Sequence, residues 1–287
     1  MARRAPSEEL QRRWLDAILL PGMSDPRESC LSELAEYSGR PREEVLALCE
    51  RSRDLLKDRW EERPRDSADA IDDFYRDADA YIYGLLWWHC LQKGPSVAWN
   101  AAILEFALEL GVRCCLDFGG GIGSNALLFQ GAGIDTTLAE ISKPSLDFAR
   151  KRAERRGLKL HFVDLNDDSL DGRSFDLVMA IDVLEHVPDH VGTLERLTTL
   201  VRPGGYLCFD LIAGQYDPDE PFHLMKSKYP IRSRVRGMGL ASVAHFGKYV
   251  CLRRVDRSEL VNRVLRGWDV LRWRLYYLAQ GQWPSAR

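Results

Sequence analysis

Leu116-Asp117-Phe118-Gly119-Gly120-Gly121-Ile122-Gly123 is the stretch that decides the fold. Residues 112–118 are short, apolar and β-prone, which predicts a buried parallel strand, and the residues from Ser124 onward can begin a helix. The glycines therefore lie at a strand-to-helix turn. Residues without a Cβ allow positive φ angles there and let a ligand approach the main chain closely.

The glycine turn predicts a nucleoside cofactor without naming it. Residues 121–126 also fit the G-x-G-x-x-A form of a dinucleotide fingerprint. The next predicted strand, residues 134–139, ends at Glu140, which lies about 20 residues past the glycines, where an acid normally holds ribose hydroxyls. This placement suits NAD and S-adenosylmethionine equally.

The same alternation of strands and helices continues beyond Glu140. It predicts an α/β fold of the Rossmann-like, doubly wound, mostly parallel type. The predicted elements are helix 144–156, strand 160–163 followed by Asp164, strand 175–181 followed by Asp182, helix 190–201 and strand 206–212.

Five ordered motifs in this region resemble those of class I S-adenosylmethionine-dependent methyltransferases, in particular the small-molecule, ubiquinone-biosynthesis type. The resemblance covers about residues 112–212. The motifs are D-x-G-x-G-x-G at 117–123, the acid Glu140, the acid Asp164, D-V-L-E-H-V-P-D from Asp182, and R-P-G-G-Y-L from Arg202.

The resemblance implies S-adenosylmethionine as the cofactor and assigns its contacts by position. The glycines lie against the methionine part with Asp117 near its amino group, Glu140 takes the ribose hydroxyls, and Asp164 with the Leu165 amide meets adenine. Asp182 and Val183 line the methionine and substrate side. The expected cofactor-binding residues are Asp117, Gly119, Gly120, Gly121, Gly123, Glu140, Ile141, Asp164, Leu165, Asp182 and Val183, and no metal is expected.

Methyl transfer from a sulfonium needs mainly positioning, and a base only if the acceptor must lose a proton. His186 and His223 are the candidate catalytic bases, since both lie beyond the carboxyl ends of predicted strands. His186 could instead orient a loop, and His190 is expected to be solvated. His245 is a candidate substrate contact.

The first 95 residues predict a separate helical domain, followed by a catalytic domain over residues 96–287. Residues 31–46 resemble a helix-turn-helix, but the second helix carries Glu43, Glu44 and Glu50, which favours a dimer or lid role over DNA binding. Tyr75 and Tyr83 are candidates for the wall of a substrate pocket, although aromatic residues at helical spacing usually belong to a core.

The segment after the predicted strand 206–212 is harder to interpret. Residues 213–255 are rich in turn formers and predict a cap insertion, although residues 248–255 could supply an antiparallel strand. A helix over 256–266 is expected to stop at Gly267, and residues 268–278 are expected to form a final strand.

Composition agrees with an enzyme that acts on a small-molecule acceptor. The formal charge of −3 gives no bulk attraction to nucleic acid or to anionic membranes. The seven cysteines show no C-x-x-C spacing, which indicates reduced thiols and a cytoplasmic location. An NAD-dependent oxidoreductase and a methyltransferase acting on a protein or peptide remain the alternatives. A homodimer through the N-terminal helices is also expected.

Overall fold

The computed structural model describes residues 2–3, 7–91, 95–213 and 221–280. Two compact units make up the chain, one formed by residues 4–169 and the other by residues 1–3 and 170–287. Ala2–Arg3 form the short strand β1, which belongs to the second unit. The domain boundary predicted near residue 95 rests on composition, and it remains a prediction.

Within residues 4–169 a helical segment precedes an α/β segment. The helices are α1 Glu8–Ile18, α2 Pro26–Ser38, α3 Arg42–Glu62, α4 Ala68–Arg76, α5 Ala80–Leu91 and α6 Pro95–Glu109. The α/β segment contains β2 Cys114–Phe118, α7 Ser124–Gly131, β3 Asp135–Glu140, α8 Lys143–Arg155 and β4 His161–Asp164. The strands are parallel in the order β2-β3-β4, as the alternation predicts.

Apolar packing holds the glycine turn between β2 and α7 in place. Ala126 of α7, Leu138 of β3, and Leu146 with Ala149 of α8 form one buried cluster. Leu146 and Ala149 are three residues apart, so they lie on the same face of α8. The turn therefore rests on a close-packed base.

The second unit carries the remaining strands of the α/β fold. Its elements are β5 Phe175–Ala180, α9 His190–Leu200, β6 Val201–Phe209, α10 Tyr229–Arg232, a 3-10 turn Val235–Met238, β7 Leu240–Phe246, β8 Tyr249–Arg254 and α11 Glu259–Ala279. Strand order in this unit is β1-β7-β8-β6-β5. Strand β5 is parallel to β6, and β8 is antiparallel to both β6 and β7. The predicted α/β, Rossmann-like class is confirmed.

Strand β8 confirms the expectation that residues 248–255 supply an antiparallel strand. Strand β7 was not predicted, because turn formers dominate the composition of 213–255. Its alternation of buried Leu240, Ala244 and Phe246 with more exposed residues is a strand signal. Residues 214–220 of the predicted insertion lie outside the described residues.

The predicted stop at Gly267 and the predicted strand 268–278 are wrong. Helix α11 runs through both, beginning at the N-cap Ser258, whose hydroxyl accepts from Val261 N. β-Prone residues suggested a strand, but buried Asp269 and Tyr277, with Trp273 between them, recur at helical spacing. Docking of this face outweighs the roughly 1 kcal/mol cost of an internal glycine.

A buried ionic network ties the helical segment to the glycine turn. Arg152, which is completely buried, donates to the Ile122 carbonyl at 2.9 Å, to Ser124 Oγ at 2.9 Å and to the Ile18 carbonyl at 3.2 Å. Buried Glu33 of α2 pairs with Arg152 at 3.4 Å and accepts from Arg156 at 2.6 and 3.1 Å. Burial opposes the ionisation of Glu33, but the arginine charges outweigh it and lower the pKa of Glu33.

Substitution of Glu33 tests this network. Glu33→Ala leaves two buried guanidinium groups without their carboxylate, so we expect the free energy of unfolding to fall by about 3–5 kcal/mol in urea denaturation. Glu36→Ala, which removes the exposed partner of Arg155, is the matched control and should cost about 0–1 kcal/mol. Equal losses in the two variants would contradict a structural role for the network.

The same network predicts the pH dependence of stability. The pKa of Glu33 is lowered in the folded state, so its contribution is present above the unfolded pKa and is lost as the pH falls through the folded pKa. The difference in stability between the wild type and Glu33→Ala should therefore shrink in acid.

Candidate functional site

The glycine turn of the first unit has the backbone geometry that its sequence requires. Gly119, Gly121 and Gly123 have φ angles of 65°, 54° and 75°, in the left-handed region that favours glycine. A Cβ on Gly120 would overlap the Asp117 carboxylate and lie 2.5 Å from Leu138 Cδ1. The turn therefore presents bare main chain.

Asp117 lies beneath this turn and is 1% exposed. Neither of its carboxylate oxygens makes a hydrogen bond within the described part of the chain. Burial raises the pKa of Asp117 to about 7, the nearby Ala126 amide opposes this shift, and the charge of Glu140 adds to it. A buried carboxyl group without a partner is costly, so its position fits a cationic ligand group.

Glu140 binds the backbone of the turn and of its own strand end. Its Oε2 accepts from Gly121 N at 2.7 Å, and its Oε1 accepts from Ile141 N at 2.7 Å and Ser142 N at 2.8 Å. Burial raises the pKa of Glu140, and these amides oppose the shift. Because a carboxylate can accept about four hydrogen bonds, Glu140 retains capacity for one more donor.

The predicted adenine contacts lie at the end of β4. Asp164 Oδ1 accepts from the backbone and the side chain of Asn166, at 3.0 and 2.7 Å. The Leu165 amide donates to the Glu140 carbonyl at 3.0 Å, so it is already engaged within the fold. Arg76 of α4 donates to Asn166 Oδ1 at 2.6 Å, which links the helical segment to this strand end.

Helix α5 contacts the glycine turn through residues that sequence reasoning did not single out for the site. His89 Nδ1 lies 2.8 Å from Ser124 Oγ, and a Cβ on Gly121 would lie 3.2 Å from Leu85 Cδ1. His89 belongs to the Trp87-Trp88-His89 run that marks this helix in the sequence, whereas Leu85 carries no such signal.

The two tyrosine candidates of the helical segment have different surroundings. Tyr75 packs its ring against Trp60, Phe74 and Tyr81, with ring centroids 5.0 to 6.5 Å apart. Tyr83 is half-buried. Tyr75 thus belongs to an aromatic cluster of the helical segment, and a pocket role for either residue stays a prediction.

The second unit holds a cluster of acids around one lysine. Asp182 has a φ of 55°, and its N–H donates to Asp210 Oδ1 at 2.8 Å. Lys248 Nζ contacts Asp182 Oδ1 and lies 3.2 Å from Asp210 Oδ2. Burial raises the pKa of Asp210 to about 7, with a contribution from Asp182.

Glu185 and Val183 complete the strand end after β5. Glu185 is completely buried, and neither of its carboxylate oxygens has a hydrogen-bond partner in the described chain. Burial and the charges of Asp210 and Asp182 raise the pKa of Glu185 to about 9, so this carboxyl is protonated at neutral pH. The Val183 carbonyl accepts from His186 N at 2.9 Å.

His186 and His223 lie side by side, with ring centroids 5.0 Å apart. His186 Nδ1 lies 3.2 Å from the Phe222 carbonyl, and burial together with His223 lowers the pKa of His186 to about 4. His190, expected to be solvated, is half-buried with Nδ1 2.8 Å from the Leu184 carbonyl. His245 Nε2 lies 3.3 Å from Ser242 Oγ on β7. The structure thus pairs the two predicted catalytic histidines.

Two overlapping groups in this unit could hold a cation. Ligand atoms of Glu185, His186 and His223 lie within 4.8 Å of one another, and so do those of Asp182, Glu185 and Asp210. Sequence reasoning missed Asp210 and Lys248. Asp210 directly follows strand β6, so the rule that identified Asp164 and Asp182 applies to it as well.

Comparison with known proteins agrees with the predicted motifs. A family model described as a methyltransferase domain matches residues 116–207. The ubiquinone biosynthesis O-methyltransferase of Coxiella burnetii (strain Dugway 5J108-111) is 33% identical over 96 residues, which is 33% of this chain and 40% of that protein. The protein of the same name from Bordetella avium (strain 197N) is 30% identical over 149 residues, or 51% and 61% of the two chains. The chain thus spans about half the length of these curated relatives.

Solved structures with lower similarity include the magnesium protoporphyrin IX methyltransferase of Synechocystis PCC 6803. It is 18% identical, with 67% of this chain and 98% of that chain covered and a TM-score of 0.49. An O-methyltransferase family protein from Burkholderia thailandensis is also 18% identical, with 56% and 60% covered and a TM-score of 0.43. Residues 116–207 thus match a methyltransferase domain, in agreement with the class I S-adenosylmethionine-dependent methyltransferase motifs of the sequence.

Proposed function

We propose that this chain transfers a methyl group from S-adenosylmethionine to an oxygen or nitrogen atom of a small organic molecule. The observation that carries the proposal is the buried, unpaired Asp117 carboxyl beneath a turn of bare main chain. The names of the relatives favour an oxygen acceptor.

The residues of the first unit fit the cofactor. Asp117 would pair with the amino group of the methionine part, because an ammonium supplies the hydrogen bonds that this carboxyl lacks. Glu140 would use its remaining acceptor capacity for a ribose hydroxyl. Asp164 would meet the adenine amino group. The Leu165 amide is engaged by Glu140, so its predicted adenine contact requires a rearrangement.

When bound, the cofactor supplies a methyl group already activated by a sulfonium. The protein therefore has to hold the acceptor in line and remove its proton where one must leave. We assign the removal of this proton from the acceptor to His223. His186, with a pKa of about 4, is neutral at pH 7 and a weak base, and its contact with the Phe222 carbonyl positions it beside His223.

The remaining assignments are part of the same proposal. Asp182 and Val183 would serve the methionine and substrate side, and His245 with Tyr83 the acceptor. No disulfide joins the seven cysteines, all of which lie in the described chain. In the described residues no helix is long and apolar enough to cross a membrane. The N-terminal helices remain the proposed dimer contact.

Calorimetric titration tests the cofactor directly. We expect S-adenosylmethionine and S-adenosylhomocysteine to bind the full chain with a Kd of about 1 μM to 1 mM, the usual range for enzyme substrates. Glu140→Ala should abolish the binding, because it removes the ribose acceptor and the support of the Gly121 amide. Binding of NADH alone would favour the oxidoreductase alternative and contradict the proposal.

The pH dependence of cofactor binding tests the role of Asp117. With a pKa of about 7, this carboxyl is protonated in mild acid and cannot pair with an ammonium. The affinity for S-adenosylmethionine should therefore rise by up to about tenfold per pH unit as the pH approaches 7 from below. It should pass through a maximum between about pH 7 and pH 8 and fall at higher pH, where an α-amino group with a pKa of about 7.7–8.0 loses its proton.

Matched variants separate this effect from other acids. Asp117→Asn should weaken binding and remove the slope below pH 7. Asp210→Asn, at a carboxyl whose pKa is also about 7, should keep the slope. A slope that survives in Asp117→Asn would show that another group controls binding.

Histidine variants test the proposed base once an acceptor has been found among phenols, amines and carboxylates. His223→Ala should lower kcat by about 10²–10⁴-fold and remove the acid limb of the kcat profile, with recovery by added imidazole. His186→Asn should cause a smaller loss and keep the acid limb. His161→Gln, at an exposed histidine of the first unit, is the control. An unchanged profile in His223→Ala would exclude this residue as the base.

A further inference from the structure

Helix α11 exposes an apolar stripe along its whole length. Its members are between 40% and 69% exposed, and after an adjacent first pair they recur every three or four residues: Leu260, Val261, Val264, Trp268, Leu271, Leu275 and Leu278. At 3.6 residues per turn, they cover an arc of about 100°. We call these residues the apolar stripe.

The opposite face of α11 docks on its own unit. Asp269 and Tyr277 are buried, Asp269 accepts from Arg236 Nε at 2.7 Å, and the Tyr277 ring lies 5.9 Å from Tyr229. The helix already has its partner within the unit. The apolar stripe is therefore a second face of the helix, which is left exposed by the described residues of this unit.

Charge is distributed unevenly along the chain. Residues 221–280 contain thirteen Lys and Arg but three Asp and Glu, a formal excess of ten positive charges, whereas the whole chain has a net charge of −3. We expected no attraction to anionic membranes from the net charge of the whole chain alone. This segment by itself is strongly cationic.

Arginines flank the apolar stripe on both sides. Because each residue is rotated by 100° about the helix axis, Arg272 lies beside one edge of the apolar stripe, and Arg263 and Arg274 lie beside the other edge. All three are exposed, and the Arg272 guanidinium lies 4.7 Å from the centre of the Trp273 ring. Long arginine side chains can keep their charge in a polar layer while their stems lie along apolar groups.

We propose that α11 binds the surface of an anionic lipid bilayer. The apolar stripe enters the boundary between headgroups and acyl chains, and the flanking arginines bind lipid phosphates. Such helices combine Leu and Trp on one face with Lys and Arg beside it, and lie in the plane of the interface without crossing it.

Charge and polarity distinguish an anionic bilayer from two other possible partners of the apolar stripe, a second copy of this chain and nucleic acid. Helix α11 itself carries four arginines and two acids, so a second copy would bring two positively charged helices together, which opposes pairing through the stripe. Nucleic acid would match the positive charge. Its phosphates and groove edges are polar, however, and do not complement seven exposed apolar side chains. An anionic bilayer complements both the charge and the apolar stripe.

Flotation of the full chain with lipid vesicles tests the proposal. Vesicles of phosphatidylcholine mixed with phosphatidylglycerol should carry the protein upward, and pure phosphatidylcholine vesicles should carry much less. Leu271→Ser/Leu275→Ser should lower the partition coefficient about tenfold or more through loss of apolar insertion. Arg272→Gln/Arg274→Gln should lower it by a similar factor for anionic vesicles only.

Controls keep each outcome decisive. Leu108→Ser/Leu110→Ser, at residues 39% and 38% exposed in the other unit, should bind vesicles like the wild type. Far-UV circular dichroism should show that the variants stay folded. Undiminished flotation of Leu271→Ser/Leu275→Ser would overturn the proposal. The proposal would also fail if light scattering showed a wild-type dimer that becomes a monomer in Leu271→Ser/Leu275→Ser. It would fail as well if the protein bound duplex DNA and only the arginine variant lost that binding.

Discussion

The glycine turn depends on one buried guanidinium. Arg152 holds the Ile122 carbonyl and the Ser124 hydroxyl of the turn, and it shares Glu33 and the Ile18 carbonyl with Arg156. Buried ion pairs often stabilise a fold no better than apolar residues of the same size, but they tolerate only one geometry. The network therefore explains the position of the turn better than it explains net stability. It also makes the helical segment a structural requirement of the turn.

Glu140 gives the turn a second constraint, from the ligand side. A carboxylate that already accepts from the Gly121, Ile141 and Ser142 amides has its orientation set before any ligand arrives. A preorganised acceptor loses little conformational entropy on binding. Because of the same contacts, removal of Glu140 disturbs the turn itself. A variant of Glu140 therefore reports on the turn as well as on ligand binding, whereas a variant of Asp117 reports on the proposed ligand contact.

Sequence reasoning predicted the local elements well and the distant contacts poorly. Strand β2, the turn and helix α7 follow from adjacent residues, and Glu140 follows from spacing. Lys248 and Asp182 are far apart in sequence, and no local pattern predicts that contact. Arg152 looked like an ordinary helix residue, because burial of a charge depends on partners elsewhere. Residues 268–278 of helix α11 were mistaken for a strand because β-prone residues are frequent there, and only the tertiary structure reveals the face on which Asp269 and Tyr277 are buried.

Buried acids occur in both units, and neither set is explained by folding. Asp117 in one unit, and Glu185 with Asp210 in the other, have pKa values raised by burial to about 7, 9 and 7. Asp182 adds a left-handed backbone that costs of order 1–3 kcal/mol in a residue other than glycine. Apolar or amide side chains would remove the cost of desolvation, so a chain optimised for stability alone would not retain these groups. In the proposed function, the ammonium of the cofactor offsets this cost at Asp117.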